Sequence, residues 1–285
     1  MSSTVTSTPV VVSELNPVAD LLQETWALTR RLLIQLRRRP ATLIAGVLQP
    51  LMWLILFGAL FQKAPAGFLG DGVHYAQFLS AGIIVFTAFS GALNAGLPVM
   101  FDREFGFLNR FLVAPLVSRF SIILASTLFI TLLSLVQAVA VMLTSYLLGG
   151  GLPDLRGWLL VVGVILLLVL GMTALSLGLT FALPSHVELL AVIFVMNLPL
   201  LFASTALAPL SFMPRWLQVI ASLNPLSYAI EPIRHVYLQP DWHWSDGVLW
   251  APWGTVTLGM AMGVLVLFDA LAIASVWRLL QRKLS

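Results

Sequence analysis

Along the 285-residue chain, apolar residues gather into six long runs separated by short polar stretches. The runs cover roughly Ala41 to Phe61, Ala76 to Met100, Phe120 to Leu148, Trp158 to Leu183, Leu189 to Leu210 and Ala251 to Trp277. Each holds about 20 residues or more and almost no charge. A helix rises about 1.5 Å per residue and the hydrocarbon core of a bilayer is about 30 Å thick, so runs of this length predict membrane-spanning helices. The expected fold class is an all-α polytopic membrane protein: a leader over residues 1–40, then a transmembrane domain of six helices over residues 41–285.

The polar stretches carry patterns of their own. In the leader, Asn16 and Pro17 read as an N-cap and a first-turn proline. From there Leu22, Trp26, Leu33 and Leu36 recur at helical spacing, with Arg30, Arg31, Arg37 and Arg38 largely off that stripe. This predicts an amphipathic interfacial helix whose arginines meet lipid phosphates; the plainer alternative is a positively charged anchor. Pro40 ends it and starts the first span. No cleavable signal peptide is expected, because a polar leader precedes the first apolar run.

Between the second and third runs, FDREFGFLNRFLVAPLVSR places Phe101, Phe105, Leu108 and Leu112 on one stripe, with Asp102, Arg103, Asn109 and Arg110 mostly opposite. A short helix at the membrane surface is predicted, with Gly106 allowing close approach of a partner. Between the fifth and sixth runs lies NPLSYAIEPIR. Pro214 can start a short helix with an apolar face of Trp216, Leu217, Ile220 and Leu223. Asn224 then caps a second helix with Pro225 at its first position, where a missing N–H costs least. Glu231 is expected to reach Arg234 at i+3 and His235 at i+4, a modest help to the helix end, and Pro232 is expected to limit this helix. Two short helices making a re-entrant hairpin in the outer leaflet are predicted, since irregular backbone at that depth must be covered. Such a hairpin either seals a pathway or only holds the last two spans together.

Charge then sets the orientation. Eleven of the 15 basic residues fall in the leader, in the loop after the second run, or in the tail. By the positive-inside rule both termini are cytoplasmic. Composition narrows the chemistry. The chain is 59% hydrophobic and 9% charged, with a mean hydropathy of +0.98. It has no cysteine, so disulfides, thiol catalysis and cysteine metal sites are excluded, and its four histidines lack metal-ligand spacing. The two lysines, Lys63 and Lys283, stand outside any P-loop pattern, and no His-Glu-x-x-His or Gly-x-Ser-x-Gly occurs. No catalytic residue, metal site or nucleic-acid partner is expected. Asp269 is the one acid deep in a span; it is either a proton or substrate site or a buried packing residue. Glu188 and His186 fall at the turn between the fourth and fifth spans.

The segment from Phe101 resembles the D-R-E-x-G-x-L-x-R-x-L-x-x-A-P-x-S-R stretch of the membrane subunits of type-2 ATP-binding-cassette exporters, the daunorubicin-resistance and nodulation-factor permease group. LSAGIIVFTAF, from Leu79, resembles that family's second span. NLPLLFASTALAPLSFMPRWLQVIASLNPLSYAIEPIR, from Asn197, resembles its fifth span and outer segment, with the tyrosine of the N-P-L-x-Y motif at Tyr228. Thr205 stands where the family has glycine, and Pro232 interrupts the last motif. The resemblance implies a permease subunit that pairs with a second copy, as a homodimer, above two copies of a separate ATPase subunit. ATP and magnesium would be bound by that partner, with no cofactor in this chain. It also implies that the loop helix is the coupling helix, with Arg103, Glu104, Phe105, Gly106 and Leu108 as ATPase contacts. The expected function is outward transport across a bacterial plasma membrane of a lipid-like or amphipathic substrate, in the drug or natural-product branch. Export of a polysaccharide or lipo-oligosaccharide is the alternative, and a carrier or membrane scaffold without ATP coupling is a third.

Overall fold

A computed structural model describes residues 17–61, 75–105, 120–149, 151–239 and 241–284. The chain begins with α1 (Pro17–Arg37) and α2 (Pro40–Leu60), divided by a break at Arg38 and Arg39. Then come α3 (Tyr75–Leu93), a single 3₁₀ turn (Asn94–Gly96) and α4 (Leu97–Glu104), which together form one 30-residue apolar rod. After these lie α5 (Phe120–Leu147), α6 (Leu155–Ala182) and α7 (His186–Phe202). Two short helices, α8 (Arg215–Leu223) and α9 (Pro225–Leu238), precede an antiparallel pair of strands, β1 (Gly247–Ala251) and β2 (Gly254–Thr257). Helix α10 (Leu258–Leu284) closes the chain.

Five of these rods are long and apolar enough to cross a membrane. The result is a multi-pass, mainly helical membrane protein, as the hydropathy pattern predicts. The fifth apolar run is the exception in length. Helix α7 has 17 residues, about 26 Å at helical rise, which falls short of the hydrocarbon thickness. Residues 203–213 are not a continuation of this helix toward Leu210, but a turn that runs back over the bundle. The sixth helix starts at Leu258 rather than Ala251, because residues 247–257 pair as a hairpin that turns at Pro252 and Trp253 and resumes at Gly254, whose φ is 141°. Glycine takes that backbone conformation without a Cβ clash.

Helix α6 is the centre of the fold. It packs against α3, α5, α9 and α10, and Leu160, Val161, Val164, Ile165, Leu168 and Val169 are buried along it. Its start is fixed by Asp154, whose Oδ1 accepts from the Gly157 N–H at 2.7 Å. Small residues let neighbours come close. At Gly171 a Cβ would stand 2.3 Å from Asp269 Oδ1, and at Gly178 it would stand 2.7 Å from Val276 Cγ2. Asp269 is thus buried in the crossing of α6 and α10.

Helix α1 lies against α5 through Thr25 and Thr29, which are buried; the Thr29 hydroxyl donates to the Thr25 carbonyl at 2.8 Å. Leu22 and Trp26 of the apolar stripe are instead exposed. So are Arg30, Arg31, Arg37 and Arg38, the arginines expected to meet lipid phosphates. Asn16, the expected cap of this helix, lies outside the described residues.

Candidate functional site

Two clusters of polar side chains mark opposite ends of the bundle. The end that carries α1 and the C-terminus of α4 is the leader side; the end that carries β1 and β2 is the hairpin side.

On the leader side, the 3₁₀ turn between α3 and α4 is fastened to α6. The Ser176 hydroxyl donates to the Leu93 carbonyl and accepts from the Gly96 N–H at 3.0 Å. The Thr180 hydroxyl lies 3.1 Å from the Gly96 carbonyl. Only glycine fits at position 96, where a Cβ would come 2.2 Å from Thr180 Oγ1. Beyond the turn, the Arg103 guanidinium donates to the carbonyls of Thr180, Leu183 and Pro184 at 2.6, 2.5 and 2.8 Å. A cation on the last carbonyls of a helix satisfies its orphan acceptors and the negative end of its dipole. Glu104 accepts from the His186 N–H and pairs with His186 Nδ1 at the start of α7, the end that favours an anion. The Phe101 ring contacts those of Phe105 and His186, at centroid distances of 6.2 and 5.1 Å.

Of the five residues that the family resemblance makes ATPase contacts, Arg103 and Glu104 are therefore engaged within the chain, and Phe105 is 68% exposed. Gly106 and Leu108 lie outside the described residues, as does the rest of the stripe that continues to Leu112. Sequence reasoning missed Ser176 and Thr180. Their signal was there, two hydroxyls at i and i+4 on one face of an apolar helix, but it does not say which neighbour they hold.

On the hairpin side, Asn224 joins three helices. It ends α8 and caps α9, with Oδ1 accepting from the Leu226 N–H at 3.0 Å. Its amide nitrogen donates to the carbonyls of Leu200 and Ala203, at 2.8 and 2.6 Å, at the end of α7. Pro225 takes the first helical position. The Tyr228 hydroxyl donates to the Ser222 carbonyl at 2.8 Å, and Ser227 Oγ accepts from the Thr205 N–H at 3.2 Å. The turn at residues 203–206 is buried against α3; at Gly82 a Cβ would stand 2.4 Å from the Ala206 carbonyl oxygen.

Arg234, 5% exposed, closes this cluster. It donates through Nη2 to the Thr205 carbonyl at 2.6 Å, through Nε to the Phe78 carbonyl at 3.3 Å, and through Nη1 to Glu231. Its guanidinium also sits 3.6 Å above the Phe78 ring, a cation–π contact. Helix α9 runs through Pro232 to Leu238 and is buried on nearly every side, so its packing overrides the interruption expected there. Its far end meets the start of α3, where the Gln77 amide donates to the Tyr237 carbonyl at 2.9 Å. Asn224 thus lies a 14-residue helix, about 21 Å, from that end. The two short helices expected here are present and join at Asn224: α9 is the buried arm, while α8 exposes Trp216, Val219, Ile220 and Leu223. Pro214 precedes α8 and is exposed.

His235 does not turn to Glu231. Its Nε2 lies 3.0 Å from Asp246 Oδ2, which also accepts from the His243 N–H at 2.7 Å. The Asp246 carbonyl accepts from the Leu258 N–H, so one residue ties α9 to the start of α10. The hydrogen bond from His243 and then that from His235 hold the Asp246 carboxyl below its ordinary pKa. A group so lowered stabilises the fold above its unfolded pKa of about 3.9 and loses that contribution as pH falls through the lower folded value. The melting temperature of the wild type should therefore exceed that of Asp246→Asn near neutral pH, with the gap closing below about pH 4. A gap that persists at acid pH would refute this role.

The class of protein defined here is a multi-pass helical membrane protein with a fastened joint at one end of the bundle and two short helices joined at Asn224 at the other. Residues 23–238 match the family described as ABC-2 type transporter, and the chain belongs to that family. It is 52% identical over 266 residues to ycf38 of Porphyra purpurea, covering 93% of this chain and 91% of the relative. It is 53% identical over 248 residues to ycf38 of Cyanophora paradoxa, with 87% and 86% covered. Both relatives carry a transport-permease name without a substrate. A third relative, the daunorubicin resistance ABC transporter permease protein DrrB1 of Streptomyces coeruleorubidus, is 30% identical over 224 residues, with 77% and 76% covered. The chain is thus a transmembrane subunit of an ABC transporter, and the family implies an ATP-binding subunit as its partner.

Proposed function

We propose that two copies of this chain form an exporter that moves lipid-like or amphipathic molecules outward, powered by two copies of a separate ATPase. The carrying observation is the place of α6. Near its end it holds the turn between α3 and α4 through Ser176 and Thr180, and its last carbonyls are clasped by Arg103, beside the segment that would meet the ATPase. Its other half packs against α9, the buried arm of the hairpin. A push on α4 therefore reaches the hairpin through one packed rod, which gives the hairpin a gating role. Nucleotide and magnesium belong to the partner. The leader side is the cytoplasmic side, with both termini there; in a bacterium the membrane is the plasma membrane.

Helix α7 supports the paired arrangement. Val187, Leu190, Phe194, Val195, Leu198 and Phe202 are exposed on it, an apolar surface for lipid or for a second copy. The name of the DrrB1 relative favours a drug-like substrate. One observation favours the second reading, export of a polysaccharide or lipo-oligosaccharide. Trp53, Phe57, Phe61, Tyr75 and Phe78 form a continuous aromatic ladder, with successive centroids 5.3, 6.3, 4.8 and 6.1 Å apart. Flat aromatic faces in series suit the successive rings of a sugar chain.

The test is to purify the chain with its ATPase and measure which of these two compound classes stimulates hydrolysis. Phe105→Ala should leave the permease inserted and reduce the ATPase retained by about tenfold or more, the cost of a truncated anchor residue. Equal retention by the variant would remove Phe105 from the docking surface.

A further inference from the structure

Proline in a helix cannot supply the N–H that the carbonyl four residues earlier would normally accept. Within a bilayer no water replaces it, and an unmet carbonyl there is costly. Pro50 lies in the middle of α2 and so leaves the Gly46 carbonyl without its intrahelical donor. The helix nevertheless continues to Leu60. The missing donor comes from another span: Gln137 of α5 donates through Nε2 to the Gly46 carbonyl at 2.8 Å. Gln137 is 7% exposed, and it is the one amide in a span otherwise made of apolar residues and small hydroxyls. Glycine at 46 permits the approach, since a Cβ there would stand 3.2 Å from the same nitrogen.

Pro50 and Leu54 are buried on the side of α2 that meets α3 and α5, and the opposite side is open. Leu43, Ile44, Leu48, Met52, Ile55, Leu56 and Leu60 are all exposed, so the helix is held from one side only. A groove of about 410 Å³ runs along it, lined by Leu48 and Gln49 before the proline and by Met52, Trp53 and Phe57 after it. Any change of bend at Pro50 reshapes that groove and shifts the base of the aromatic ladder.

We propose that Pro50, Gly46 and Gln137 form a latched hinge in the first span. Pro50 makes the flexible point, the Gln137 amide holds it in one bend, and release of that bond lets the two halves of α2, and the groove across them, rearrange. The latch stands on the geometry of this chain; its use in moving a substrate rests on the transport reading.

The test uses the full chain in lipid nanodiscs without its ATPase, so it decides the latch even if the transport reading fails. Gln137→Leu should lower the melting temperature by about 5 °C, the loss of one donor to a buried carbonyl. In a Pro50→Ala background, where residue 50 regains its N–H, the same substitution should cost much less. Gly46→Ala, which crowds the amide without deleting it, should follow the same pattern and serves if Gln137→Leu does not fold. Spin labels on Leu43→Cys and Leu60→Cys, in a chain with no native cysteine, read the bend directly. Gln137→Leu should broaden their distance distribution, and Pro50→Ala with Gln137→Leu should narrow it again. Equal melting losses in both backgrounds would overturn the latch, and an unchanged distance distribution would overturn the hinge.

Discussion

Replacing Arg234 by methionine is expected to destabilise the protein by about 3–5 kcal/mol, the usual cost of removing one partner from a buried ion pair. The guanidinium is almost wholly buried and makes four separate contacts, to Thr205, Phe78 twice and Glu231. Without it, Glu231, whose side chain is 13% exposed, keeps its charge requirement and loses its cation. The Thr205 carbonyl is orphaned as well, within a turn that has no ladder of its own. Most of the penalty is therefore the charge left behind. Adding Glu231→Gln should recover much of the loss, because an amide at that depth needs hydrogen bonds but no counter-charge. Thermal unfolding of wild type, Arg234→Met, and Arg234→Met with Glu231→Gln gives the comparison. A single variant as stable as the wild type, or a double variant no better than the single, would mean that the pair does not hold the hairpin.

That cluster shows what the sequence could and could not say. The spans were legible because burying a helix in lipid demands a long uncharged run, whatever its neighbours. The cap at Asn224 and the proline after it were legible because capping is local. The ends of the fifth and sixth spans were not. Hydropathy continues through LSF and WAPWGT, but residues 203–213 turn back and residues 247–257 pair as strands, and both outcomes depend on partners distant in the chain. Which groups a polar side chain meets within the chain was the least legible feature. Arg103 resembles a docking residue in its motif, yet three carbonyls at the end of α6 lie within its reach. His235 stands four residues from Glu231, yet Asp246 offers a carboxylate from a separate loop. Thr25 and Thr29 face α5 while Leu22 and Trp26 do not, because in lipid an exposed apolar side chain costs nothing and small side chains let two helices come close. A hydrophobic stripe in a membrane protein thus predicts contact with something apolar without saying whether that is protein or lipid.

Asn224→Ala is expected to cost about 3 kcal/mol, well above the roughly 1 kcal/mol of an ordinary N-cap. The side chain does three jobs: it caps α9 and gives the Leu200 and Ala203 carbonyls their donors. Alanine leaves one N–H and two carbonyls unmet where water is scarce. Replacing Pro225 as well frees the backbone at the first position of α9 and should loosen the hairpin further. Accessibility gives the sharpest reading. Ser227 is fully buried and accepts from the Thr205 N–H, so a cysteine introduced there should react slowly with a membrane-impermeant thiol reagent. It should react faster when Asn224 and Pro225 are both replaced. A control cysteine at Ser245, exposed in the loop before β1, should label quickly in both backgrounds. If Ser227→Cys in the otherwise native chain labels as fast as Ser245→Cys, the hairpin is solvated and its apex is not at Asn224. If it is protected, the same double variant tests the gate. Its leader-side joint is untouched, so ATP should still be hydrolysed by the bound partner, while transport falls because the buried arm no longer holds its place between α3, α6 and α10. Loss of hydrolysis and transport together would instead show that the hairpin carries the stability of the whole bundle and gates nothing.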